Sequence, residues 1–302
     1  MNTGKVSAEQ FDYRTYTTPK NWLSALAILL NYLVIGGLAY LSYFHLHWAF
    51  YLPIVFVIAV RQNALIDALG HDATHYNLFS SRKWCRRMEF VLFIPFLYSF
   101  DLYRKEHARH HAFLMQDDDP AYQNYQHWGV LDPNPKWTWI WWIRPFLLYD
   151  LPSILTDFWG NLRRDADFRA KTLIFWGTLI GLSIGLGFWP LLLLYWLVPL
   201  LWLVPVIEYW TEVADHYAPD PEGDTRDSRG LFLGRFLRGH YDGYHTLHHL
   251  YPRIPWYNLK RATRDYERIR GVEKIHGLGE MFDILQDKQH PVTAPEPSAD
   301  PV

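Results

Sequence analysis

A single cysteine, Cys85, occurs in the 302 residues, so the chain by itself cannot close a disulfide, hold an iron–sulfur cluster or build a four-cysteine rubredoxin site. Any redox protein that feeds it electrons must therefore be a separate one. The net charge of −2 says nothing about nucleic acid, and no basic stripe with interleaved aromatics stands out to suggest it. The His-Glu-x-x-His signature of zinc hydrolases is missing. Glu-x-x-His occurs once, from Glu273 to His276, whereas soluble di-iron bundles use two copies.

Charge is also missing from two long stretches. Neither Asn21 to Val60 nor Thr172 to Ile207 contains an Asp, Glu, Lys or Arg. A bilayer core of ~30 Å takes about 20 apolar helical residues, so each stretch is long enough for a helical hairpin. The turns fall near His45 to His47 and near Gly185 to Pro190. This predicts an all-α integral membrane protein with four transmembrane helices, at about 22–44, 48–66, 172–188 and 190–210. Two buried hairpins in a soluble protein are the alternative, and the want of any polar face argues against them.

Basic residues set the orientation. Lys5, Arg14 and Lys20 precede the first span; Arg82, Lys83, Arg86 and Arg87 follow the second; Arg163, Arg164, Arg169 and Lys171 precede the third. Neither hairpin turn carries Lys or Arg. By the positive-inside rule both termini and the polar mass are cytoplasmic. Residues 1–20 read as a polar cytoplasmic segment without a cleaved signal peptide, 21–285 as one membrane domain, and 286–302, with His290, Pro291, Pro295, Pro297 and Pro301, as a disordered tail. The uncharged run Phe90 to Phe100, broken by Pro95, is too short to cross and should return the chain to the same face at Asp101. Trp137 to Trp159 mixes tryptophans with charge, as an interfacial helix or an ordinary amphipathic one would.

Histidine is what the sequence has in plenty. Eight of the fifteen form three clusters: His71 and His75; His107, His110 and His111; His245, His248 and His249. Residues three and four apart share a helix face, so each cluster can aim two or three imidazoles at one point. One zinc closes with four ligands; these eight together with His216 suffice for two metals with positions left open, and a pair of irons is the natural occupant. His216 is included because Glu208, Glu212 and His216 recur every four residues at the end of the last span. Ionisable residues there are costly and mark function. Glu212 and Glu208 are candidates as further ligands or supporting groups. Asp67, four residues before His71, is placed to orient that imidazole, and His240 is a candidate supporting residue. His45, His47, His127, His276 and His290 read as structural or solvated.

The motifs His71-Asp72-Ala73-Thr74-His75, Glu106-His107-Ala108-Arg109-His110-His111 and Tyr244-His245-Thr246-Leu247-His248-His249-Leu250, followed by Pro252, Ile254 and Pro255, resemble the membrane fatty acid desaturase and hydroxylase superfamily. The likeness runs from about Trp22 to Leu259. It implies four transmembrane helices under a cytoplasmic helical cap, with a di-iron centre at the base of the cap and His216 as the lone ligand before the last box. Glu212 departs from the Asn that acyl-CoA desaturases carry there. The spacing of the first box, the run Asp117 to Asp119 before Pro120, and Pro255-Trp256 also look like the carotenoid ketolase branch.

The resulting expectation is an O2-dependent oxidoreductase that desaturates an unactivated C–C bond in a fatty acyl or lipid-like substrate, fed by a separate ferredoxin or similar donor. A hydroxylase or ketolase of the same fold is the alternative. A non-catalytic or transport protein is the rival from another class, and its sites would lie near the bilayer midplane rather than outside the spans.

Overall fold

In a computed structural model the described residues are 11–217 and 225–287. Lys5, His290 and nearly all of the expected tail lie outside them.

The first charge-free stretch forms the hairpin foreseen for it. Helix α1 (Asn21–His45) turns at Leu46, where His47 Nδ1 accepts the Ala49 amide at 3.2 Å, and α2 (Trp48–Thr74) returns. Further on come α3 (Phe100–Ala112), α4 (Pro120–His127), α5 (Leu151–Arg164), α6 (Ala166–Gly185), α7 (Trp189–His216), α8 (His245–Leu250), α9 (Trp256–Glu267) and α10 (Leu278–Gln286). A two-residue parallel pairing of Asp227–Ser228 with Lys274–Ile275 is the strand structure among the described residues. It ties the C-terminal segment to the approach to the last histidine box.

Among the described residues three helices, α1, α2 and α7, are long and apolar enough to cross a membrane. The expected third span falls short by that standard. Its helix starts earlier, at Ala166, under an Asp165 cap that accepts the Asp167 and Phe168 amides at 3.0 Å each, and Asp167, Arg169 and Lys171 lie in its first turns. The remaining charge-free part, Thr172 to Gly185, rises only ~21 Å.

Helices α2 and α7 do the opposite. At 27 and 28 residues they run about 40 Å, some 10 Å beyond a bilayer core. Their surplus C-terminal turns carry the site residues: Asp67 and His71 on α2, Glu208, Glu212 and His216 on α7. Each contains π-helical turns, Ala64–Gly70 just before His71, and Leu193–Leu197 and Pro199–Leu203 in α7. Such widened turns rotate the rest of the helix about its axis and recur at functional sites. The two helices pack through Val55, Ile58, Val206 and Ile207, which are fully buried. Facing outward are Leu29, Leu30 and Leu33 of α1 and Leu173, Ile174 and Ile184 of α6, an apolar belt no water-facing surface would keep.

The run at Phe90 forms no continuous helix. A turn at Glu89–Leu92 and a tighter one at Ile94–Phe96 end at Leu97, with φ +69°; Trp176 and Trp196 donate their indole N–H groups to the Ile94 and Pro95 carbonyls at 3.0 and 3.1 Å. The Trp137 to Trp159 segment is two pieces rather than one helix. A π turn (Trp139–Ile143) and a 3-10 turn (Arg144–Leu147) precede Leu148 at φ +56°, and α5 begins after it. Pro145 and Pro152 lack the amide that a continuous helix would need there.

Candidate metal centre

Every imidazole of the three boxes, and His216, turns Nε2 inward, and the nine separate into two groups. His71, His75, His107, His111 and His248 form one; His110, His216, His245 and His249 form the other. Within each, the donor atoms all lie within 4.8 Å of one another. In the five-histidine group the neighbouring Nε2 atoms are 2.7 Å (His71–His107), 2.9 Å (His75–His107), 2.8 Å (His107–His111) and 3.1 Å (His111–His248) apart. In the four-histidine group they are 3.2 Å (His110–His216), 3.0 Å (His216–His245) and 3.1 Å (His245–His249) apart. Two imidazoles bound to one ion at ~2.1 Å and at right angles would stand ~3.0 Å apart, so this spacing suits ligands around a shared metal.

The adjacent histidines of a box do not serve the same group. His110 and His111 divide between the two, as do His248 and His249. Successive side chains on a helix point ~100° apart, so one doublet cannot aim at one point and instead faces two.

Burial keeps most of these rings neutral. It is the largest influence on His75, His107, His245, His248 and His249, and it holds them well below the usual histidine range, helped by neighbouring imidazoles. For His111 burial, then His110, pushes the value down to about 2. Neutral imidazole is the form that ligates. His110 differs: burial opposes its charge, but the hydrogen bond to Asp119 and the charge of Glu212 outweigh it and raise its pKa.

The carboxylates behind the rings come from positions that histidine spacing does not mark. Asp119, fully buried, faces His110 Nδ1 at 3.0 and 3.2 Å while accepting the Ala121 and Met115 amides at 2.9 Å each. It is also the N-cap of α4. An Asp directly before Pro120 is a helix-start signal that could have drawn attention to it. Asp242 Oδ1 stands 3.7 Å from His71 Nδ1, and Asp215 Oδ2 stands 3.7 Å from His245 Nδ1, both beyond hydrogen-bond length. The buried Arg238 joins these two acids: it donates to Asp242 at 2.5 Å, to the Thr211 carbonyl at 3.1 Å and to Asp67 at 3.1 Å, and it pairs with Asp215.

Asp67 therefore sits with Arg238 and with Asn63, at 3.4 Å, while Asp242 is the carboxylate beside the His71 ring. Glu212 Oε1 is 3.8 Å from His216 Nε2. Glu208 lies on the wall of a cavity of about 240 Å³ that also meets Glu212, Tyr98, Tyr103 and Trp128. That cavity touches both groups, reaching His71 and His107 of one and His110 and His245 of the other. His240 stands apart, its Nε2 2.7 Å from Asn31 Nδ2 and its ring edge-on to Trp256.

A family model described as fatty acid desaturase matches residues 46–274. The dihydrorhizobitoxine desaturase of Bradyrhizobium elkanii is 28% identical over 85% of this chain and 79% of its own length. An sn-1 oleoyl-lipid 12-desaturase of Arthrospira platensis is 28% identical over 83% of this chain and 77% of that protein. A second enzyme of that name, from Picosynechococcus, is 24% identical over 71% and 68%.

Proposed function

The chain belongs to the fatty acid desaturase family, and on that footing we propose that it is a membrane-bound di-iron oxidoreductase that uses O2 to place a double bond in the acyl chain of a lipid. The observation that carries this reading is the division of nine inward Nε2 atoms into groups of five and four around one cavity. The lipid substrate is supported by the two relatives named for an oleoyl lipid and by the apolar belt around the helices.

Two iron ions, one held by each group, would supply the activation of dioxygen and the oxidation of the substrate carbon. Removal of two hydrogens from adjacent carbons, together with two electrons and two protons from outside, reduces O2 to two waters. With Cys85 as the only thiol, those electrons come from a separate ferredoxin-type donor.

The chain's own residues do the rest. The nine imidazoles present neutral Nε2 donors, and Asp119 fixes the His110 ring by accepting its Nδ1 proton. Glu212 Oε1, 3.8 Å from His216 Nε2, stands on the His216 side of the site, where it could ligate directly or through water. Tyr98, Tyr103 and Trp128 wall the cavity in which a methylene would lie against both groups. Positioning of that carbon governs whether it is desaturated or hydroxylated.

In the membrane, α6 makes the fourth crossing, with Leu173, Ile174 and Ile184 in the acyl layer and its charged start held by the protein, Lys171 paired with Glu89 and Asp167 and Arg169 bonded to the Leu162 carbonyl. Both termini and the histidine groups are cytoplasmic, in line with the basic residues flanking the spans.

The reading is tested by metal analysis and product analysis together. Purified protein should hold two irons per chain, and with a ferredoxin donor, O2 and membrane lipid it should yield acyl chains short of two hydrogens. One metal or none, with no activity restored by ferrous iron, overturns the di-iron assignment. Acyl chains that gain an oxygen instead make it a hydroxylase.

A further inference from the structure

Behind the last box lies a second concavity of about 760 Å³, formed by the 228–244 loop, one face of α9 and the side of α2. Among the described residues no Asp or Glu lines it. Arg229, Arg238 and Lys274 face it but are neutralised by Asp227, Glu267, Asp215, Asp242 and Asp67. Arg61, Arg235, Lys260 and Arg264 also face it, and among the described residues none of these four is paired with a carboxylate.

Three of them are placed at a cost. Lys260 and Arg264 are four residues apart on α9, so their like charges share a helix face and repel; Lys260 Nζ lies 5.3 Å from the centre of the Tyr241 ring. Arg61 follows thirteen uncharged residues on α2, a helix long and apolar enough to cross a membrane, where a cation is expensive and normally functional. Its Nη2 donates to the Phe236 carbonyl at 3.3 Å, which aims the guanidinium at the groove wall.

The rim indicates what the groove takes. Leu231 and Phe232, at the start of the turn Phe232–Leu237 that carries Arg235, are 77% and 44% exposed. Large apolar side chains left open beside unneutralised cations are what an interfacial element presents, apolar groups to the acyl layer and bases to the headgroups. Arg61 belongs to α2, which is long and apolar enough to cross a membrane, so the groove lies beside a candidate span. Basic pockets beside spans bind anionic headgroups.

We infer that this groove holds the phosphate of an anionic membrane lipid, with Leu231 and Phe232 in the acyl layer beside it. A free phosphate would use the same cations but would leave those two side chains without a partner. The inference does not depend on the redox chemistry, since binding is read without turnover.

The test uses the full chain in nanodiscs of phosphatidylcholine containing a minor share of phosphatidylglycerol, with retained lipid counted by native mass spectrometry after release. Wild type should retain phosphatidylglycerol above its share, and R235Q/R264Q should lose that preference by roughly fivefold for each charge removed. The equally neutralised R163Q/R164Q, on α5, should keep it. Unchanged iron content in R235Q/R264Q shows that the fold and the histidine groups are intact. Retention of phosphatidylglycerol by R235Q/R264Q at the wild-type level overturns the inference. So does a wild-type protein that shows no lipid preference yet binds inorganic phosphate, which would make the groove a site for a soluble anion.

Discussion

Asp119 Oδ1 lies 3.0 Å from His110 Nδ1, and the same carboxylate is pinned by two backbone amides, those of Ala121 and Met115. A ring held in this way has its Nε2 lone pair directed before any ion arrives. Asp119→Asn can keep only one of the two amide contacts through its single carbonyl oxygen, and its NH2 group meets N–H donors on the other side. Metal affinity of the four-histidine group should fall ten- to a hundredfold, the range found for such supporting carboxylates, with the five-histidine group unaffected. Iron titration followed by metal analysis checks this; equal loss from both groups would mean that Asp119 acts on the fold as a whole.

The adjacent His248 and His249 offer a sharper comparison. His248→Ala should lower iron from two per chain toward one by emptying the five-histidine group, and His249→Ala should do the same to the other. Both variants should lose turnover while still inserting in the membrane. Their Mössbauer spectra should differ, each lacking the signal that the other keeps. Identical spectra would show that the doublet does not divide between two ions.

Arg238 should matter to both groups at once, because Asp242 behind His71 and Asp215 behind His245 depend on it for charge compensation. Arg238→Met leaves three carboxylates facing a neutral side chain. Removing one partner of a buried ion pair costs about 3–5 kcal/mol, and the thermal midpoint should drop accordingly. A variant as stable as wild type, with both irons bound, would show that the network is dispensable.

Acidification should act through the buried rings. His75, His107, His111, His245, His248 and His249 are all held below the ordinary value of ~6.5. Below that value the unfolded chain takes up protons that the folded one refuses, so folding stability falls as pH falls. The iron-free protein should therefore lose thermal stability steadily from pH 6.5 downward and little above it. Iron retention should weaken over the same range, since protonated imidazole cannot ligate. A flat profile between pH 7 and 5 would contradict the burial of the rings.

The histidines themselves were legible in the sequence because helical spacing alone gathers residues three and four apart onto one face. What spacing cannot display is which box meets which: the five-and-four division depends on how α2, α3, α7 and α8 converge. The supporting roles of Asp119, Asp215, Asp242 and Arg238 stayed hidden for the same reason. Asp67 has the right offset from His71, yet the π-helical turn at Ala64–Gly70 breaks the regular spacing between them, and Arg238 claims the carboxylate. The hairpins were visible as absences of charge. The early start of α6 was not, because the Asp165 cap draws Asp167, Arg169 and Lys171 into the helix ahead of the apolar run.

The paired histidines carry one more consequence. Because neighbouring residues on a single backbone serve different histidine groups, the interval between the two groups is ruled by peptide geometry rather than by how loops happen to settle. A chain built this way can vary the residues that wall its cavity over evolutionary time without altering the separation of the two histidine groups.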